Sequence, residues 1–94
     1  MAIVVSYSNV DNKDAAYSAV KEYITPETLE KWKVKADVNY DDGGQKIYAK
    51  GKGFELNINF LDTEARAELN LSMLLRPLKG KIEEGLEKQL RRVV

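Results

Sequence analysis

Polar and apolar residues alternate one by one through the middle of this chain, and on either side a longer period takes over. Val34, Ala36, Val38 and Tyr40 alternate with Lys33, Lys35, Asp37 and Asn39. That is the pattern of a half-buried antiparallel strand, whose successive side chains point to opposite faces. Asp42-Gly43-Gly44 reads as a hairpin turn, with glycine supplying positive φ, and residues 45–50 as the return strand. Lys50-Gly51-Lys52-Gly53 connects it to a strand in which Phe54, Leu56, Ile58 and Phe60 oppose Glu55, Asn57 and Asn59. Asp62-Thr63 turns the chain again, and Ala65, Ala67, Leu69 and Leu71 alternate with Glu64, Arg66, Glu68 and Asn70. Successive strands on short loops predict an antiparallel meander. Residues 2–7, with Ile3, Val5 and Tyr7 against Val4 and Ser6, add one more strand.

Helical spacing appears twice. After turn and N-cap chemistry at Ser8, Asn9, Val10, Asp11 and Asn12, the residues Ala16, Val20, Tyr23 and Ile24 share one face, while Lys13, Asp14, Lys21 and Glu22 face water. Pro26 stops this helix near Ile24, because a mid-helix proline removes a hydrogen bond and clashes with the preceding turn. Thr25-Pro26-Glu27 is a fresh start with Thr as N-cap, and the short helix that follows carries Leu29 and Trp32. In the closing segment Leu75, Leu78, Ile82, Leu86, Leu90 and Val93 step by three or four along an amphipathic helix that can begin at Pro77. Glu84–Lys88 and Glu87–Arg91 are favourably oriented pairs on its wet face. The expected fold is a single α+β domain over residues 1–94, in the order β-α-α-β-β-β-β-α. A curved antiparallel sheet of about five strands carries a long C-terminal amphipathic helix packed across it, a reduced helix-grip arrangement.

Composition narrows the chemistry. The 94 residues contain no cysteine and no histidine, which removes thiolate nucleophiles, zinc–thiolate sites, disulfides and the commonest metal ligand. Fifteen basic residues cancel fifteen acidic ones, so there is no global attraction for nucleic acid. The N-terminus lacks a basic stretch followed by a long apolar one, and no run is long enough to span a membrane; the reading is a cytoplasmic protein.

Asp37, Asp41 and Asp42 cluster at the first hairpin without calcium-loop spacing, and turn propensity accounts for two of them, so no metal is expected. Lys50-Gly51-Lys52-Gly53 lacks the length, the Lys-Ser/Thr ending and the following helix of a phosphate loop. Glu55, Glu64 and Glu68 fall on the polar strand face, where they are expected to pair with Lys35 or Arg66 rather than act as a catalytic pair. No catalytic residue and no cofactor are expected.

Tyr7, Tyr23, Tyr40 and Trp32 are expected in the core with their polar tips hydrogen-bonded. Tyr48 is different: it falls with Lys46 and Lys50 on the face away from Ile47 and Ala49. An exposed aromatic between lysines is a candidate contact surface. Lys79 and Lys81, with Arg76, Lys88, Arg91 and Arg92, give the last helix a basic outer face. Gly80 falls on the wet side of that helix, and Gly85 at the edge of the apolar sector, where a missing side chain permits close packing or leaves room for a ligand.

The segment Leu74-Leu75-Arg76-Pro77-Leu78-Lys79-Gly80-Lys81-Ile82-Glu83-Glu84, following strands from about Val34, resembles the small bacterial proteins described as polyhydroxyalkanoic acid system proteins. The resemblance implies a non-enzymatic binding protein acting on storage-polyester granules, with the granule surface or a granule protein as partner. It supplies no catalytic residues. The alternative expectation is a carrier of an apolar small molecule between sheet and last helix. Its cavity would be lined by Tyr40, Phe54, Leu56, Ile58, Leu69, Leu71, Leu78, Ile82 and Gly85.

Overall fold

The computed structural model describes residues 2–31, 35–73 and 75–94, without the side chain of Ala2. Trp32, Lys33, Val34 and Leu74, to which the sequence gives parts in the second helix, the first hairpin strand and the closing motif, lie outside the described residues. Strand β1 (Ala2–Ser6) is followed by helices α1 (Lys13–Tyr23) and α2 (Pro26–Lys31). Strands β2 (Ala36–Asp41), β3 (Lys46–Gly51), β4 (Phe54–Phe60) and β5 (Glu64–Leu71) follow as the meander. A single 3₁₀ turn, Arg76–Leu78, leads into helix α3 (Lys79–Val93). All five strands form one curved antiparallel sheet in the order β1-β5-β4-β3-β2, so the N-terminal strand pairs with the last strand of the meander.

Strict alternation makes one face of this sheet apolar. Along β4 every second side chain, Phe54, Leu56, Ile58 and Phe60, is buried; Ile3 and Val5 of β1, Ile47 and Ala49 of β3, and Ala65, Ala67 and Leu69 of β5 join them. Helix α3 covers the β1–β5 half of that face and α1 the β4–β5 part. Ile82, Leu86 and Leu90 of α3 and Ala16, Tyr17 and Val20 of α1 fall in the same buried cluster. The small residues Ala65 and Ala67 stand on β5 where both helices pass, which lets helix and sheet approach closely.

Helix ends follow local chemistry. The Asn12 side-chain oxygen accepts from the Ala15 N–H at 2.8 Å. At α2 the Thr25 hydroxyl accepts from the Thr28 N–H at 3.3 Å, the N-cap the sequence predicts. The far end of α3 is tied to the start of the chain. Asn9 donates from its side-chain amide to the carbonyls of Arg91 (3.2 Å) and Arg92 (3.1 Å), and the backbone N–H groups of Ser8 and Asn9 both reach the Val94 carbonyl at 2.7 Å. Carbonyls that a helix end leaves without partners are thereby satisfied.

Several local expectations are corrected. Pro77 lies in the 3₁₀ turn, and α3 proper starts at Lys79. In the first hairpin the left-handed residue is Gln45 (φ 53°), not a glycine; the Asp41 carboxylate accepts from the Gly44 N–H at 3.0 Å and fixes the turn from the side. On α3 the ion pairs among described residues are Glu87–Arg91 at 2.9 Å and Lys79–Glu83 at 3.9 Å, and Glu84–Lys88 is not formed. On α1, Tyr17 takes the buried position and Tyr23 is only half-buried.

Candidate functional site

The uncovered face of the sheet carries what the sequence singled out around Tyr48. Because Ile47 and Ala49 point into the core, Lys46, Tyr48 and Lys50 point away from the helices. The strand register sets their neighbours. Tyr48 stands between Asn39 and Asn57, with Glu68 beyond; Lys50 stands between Asp37 and Glu55; Lys46 stands between Asp41 and Asn59, with Arg66 beyond. Tyr48 is half-buried among these side chains while both lysines are exposed. Partial desolvation first, and the nearby Glu55 carboxylate second, push its phenol above the ordinary value.

This face is polar and charge-mixed. Among the described residues Asp37, Asp41, Glu55, Glu64 and Glu68 outnumber Lys35, Lys46, Lys50 and Arg66, so these side chains form no excess-basic stripe. Glu64 approaches Arg66 at 3.8 Å, as expected, whereas Glu55 stands opposite Lys50 and not Lys35. At the β1 end of the face Val4 is 44 % exposed beside Arg66.

Lys79 and Lys81 belong to a different surface. They are exposed in the first turn of α3, on the helix side of the molecule, and Lys79 faces Glu83. The structure therefore brings Tyr48, Lys46 and Lys50 together and leaves Lys79 and Lys81 apart from them.

The candidate apolar-ligand residues gather under the helices. Phe54, Leu56, Ile58, Leu69 and Ile82 lie in one buried cluster, and Tyr40, Leu71 and Leu78 are half-buried against it. Gly85 is half-buried. Of the surface depressions among described residues, a cleft of about 270 Å³ at the end of β5 touches Leu69 and Leu71 together with Asn70, Arg76 and Lys79. Another, of about 430 Å³, lies at the β2 edge among Pro26, Glu30, Lys35, Asp37 and Lys50. Neither of these reaches Leu56, Ile58 or Ile82, nor do two further depressions, one beside Phe54 and one beside Phe60. Among described residues no group of three or more carboxylates converges as a metal site would require.

Sequence reasoning missed one side-chain cluster. The Tyr17 hydroxyl donates to the Asp42 carboxylate at 2.5 Å, and the Lys21 ammonium donates to the same oxygen at 2.9 Å. That ammonium also lies 5.6 Å from the Tyr17 ring centre and 5.2 Å from the Tyr40 ring centre. The Tyr40 hydroxyl donates to the Ile24 carbonyl at 2.6 Å, and Tyr17 meets Phe60 edge-on at 5.6 Å. Here α1 is locked to the β2–β3 hairpin, and Asp42, assigned to the turn by sequence, is the anchor. The Tyr17 and Lys21 bonds hold the Asp42 carboxyl below its ordinary value, while burial and then the Asp42 bond push the Tyr17 phenol up to about 12.

Tyr7 is raised to about 12 as well, by burial and then by the Glu64 carboxylate; its hydroxyl donates to the Leu61 carbonyl at 2.7 Å. Both phenols are held neutral by the fold. A folded pKa above the unfolded value of 10 means that their stabilising contribution is complete below pH 10 and is lost as pH rises towards about 12. Alkaline unfolding is therefore expected across that interval, and Tyr17→Phe should move its midpoint upward. Tyrosinate absorbance and circular dichroism followed together would check this; two phenols ionising near pH 10 without loss of structure would refute it.

Comparisons with protein-family models, with curated proteins and with solved structures give no match. The site must be interpreted from its own chemistry.

Proposed function

We propose that this chain is a small non-enzymatic binding protein of a storage-polyester granule system, cytoplasmic, and that it engages a granule protein through the open face of its sheet. The granule setting rests on the resemblance of residues 74–84. The mode of contact rests on one observation: the apolar stripe of α3, Ile82, Leu86 and Leu90, is consumed in the core, while the sheet face around Tyr48 is uncovered and polar. An amphipathic helix binds an apolar surface by burying its stripe there, and this stripe is already occupied. A face of asparagines, paired charges and one aromatic suits the polar surface of another protein better than bare polyester. No helix among the described residues is long and apolar enough to cross a membrane.

The test is partitioning of the purified chain among buffer, native granules, protein-stripped polyester and phospholipid-coated beads of equal area. Binding to native granules is expected, weakening with salt and falling at least about fivefold with Tyr48→Ser, in line with the loss of an aromatic anchor. Equal binding to stripped polyester would replace the protein partner by the polymer itself. No preference for granules over lipid beads would sink the granule reading.

A further inference from the structure

The two edges of the sheet differ in how they are protected. Exposed strand edges are templates for pairing, and they are commonly blunted by charges, proline or bulges. The β2 edge carries Asp37 and Asp41, with Lys35 just before it. The β1 edge, Ala2-Ile3-Val4-Val5-Ser6, has none of these devices and is β-branched at its three central positions.

The direction of its backbone groups follows from the bonds around it. The Tyr7 N–H donates to the Thr63 carbonyl, and the Leu61 N–H to the Glu64 carbonyl. Residues 63, 65 and 67 of β5 thus turn towards β1, and residues 3, 5 and 7 turn towards β5. The N–H and C=O groups of Ala2, Val4 and Ser6 point outward from the sheet, and no described residue pairs with them. At the centre of that row the Val4 side chain is 44 % exposed.

We infer that β1 pairs antiparallel with β1 of a second copy of this chain, about a two-fold axis at Val4, joining two five-stranded sheets into one of ten strands. Identical strands are self-complementary here because nothing charged opposes itself. Val4 meets the partner's Val4, Ala2 meets the partner's Ser6, and Ile3 meets the partner's Val5 on the helix side. The same operation on β2 would bring in Asp37, Asp41 and Lys35, and their hydration would have to be given up. In the dimer both helix layers remain on one side and both Tyr48 faces on the other, a continuous polar surface with two copies of the candidate site.

Sedimentation equilibrium of the full chain at sub-millimolar concentration should give the mass of two chains. Val4→Lys, which opposes two ammonium groups, should raise the dissociation constant at least about tenfold with an unchanged circular dichroism spectrum. Val4→Pro removes an N–H that the single chain does not use, so it should also give a folded monomer. In the wild-type dimer the amides at positions 4 and 6 should exchange at least about tenfold more slowly than in Val4→Lys, and the Ser6 amide at least about tenfold more slowly than in Val4→Pro. If the proline variant fails to fold, the lysine variant decides. A monomeric wild type overturns the inference, as does a dimer that survives Val4→Lys or leaves those two amides unprotected. The inference stands apart from the granule reading: granule binding by a monomer would refute the dimer alone, and a dimer indifferent to granules would refute only the other.

Discussion

Leu86→Ala should cost about 2–5 kcal/mol, a large part of the roughly 5–15 kcal/mol by which a domain of this size is stable. Leu86 has no exposed surface and sits midway along α3, between Ile82 and Leu90. Truncation removes buried methyl groups and leaves a space that sheet and helix can close only in part. Urea unfolding should show a lower midpoint at unchanged slope, and Leu86→Met, which keeps the volume, should cost less than about 1.5 kcal/mol. The result also bears on function. A cost under about 0.5 kcal/mol would mean that the stripe is not core, and would return α3 to the candidates for a surface-binding element.

Gly53→Val should be the second large effect, about 3 kcal/mol, with Gly53→Ala at about 1–2 kcal/mol. Gly53 turns the chain between β3 and β4 with φ +76°, a left-handed conformation that opposes any Cβ. Added to this, a Cβ would collide with the Ser72 hydroxyl oxygen and lie 3.1 Å from its Cβ. The Ser72 hydroxyl can rotate aside, but its Cβ cannot withdraw freely, because the Ser72 backbone N–H donates to the Gly53 carbonyl at 2.8 Å. Pairing Gly53→Ala with Ser72→Gly removes the collision and keeps the dihedral cost, so the double variant should recover only part of the loss. Full recovery would mean that the backbone conformation is not strained. A methyl on Gly80 meets nothing within 4 Å, so the exposed glycine of α3 carries no such sensitivity.

The two lessons about glycine have one physical origin. Gly53 and Gly43-Gly44 look alike in sequence, each in a short polar link between alternating strands. Only at Gly53 does the link need positive φ; in the other loop that position fell to Gln45, and the Asp41 carboxylate holds the turn. Which residue of a loop turns left-handed depends on the register of the strands it joins, and register is set by pairs far apart in sequence.

The elements themselves were legible because their causes are local. Alternation at Phe54, Leu56, Ile58 and Phe60 fixes which side chains share a face whatever the strand pairs with, and the three- and four-residue steps from Ile82 to Leu90 do the same for α3. Tyr48 was legible as an outward residue for the same reason. Other features needed the assembled molecule. The Tyr17–Asp42 bond joins residues 25 apart, and nothing near either one announces it. The split of the candidate surface, with Tyr48, Lys46 and Lys50 on one side and Lys79 and Lys81 on the other, follows from α3 covering the opposite face of the sheet. The free edge at β1 exists only because β1 joins beside β5 instead of between other strands. By itself the sequence determined periodicity, and with it the elements and their faces. The tertiary structure alone decided order, edges and long-range partners, because these are settled by competition among contacts that no local stretch contains.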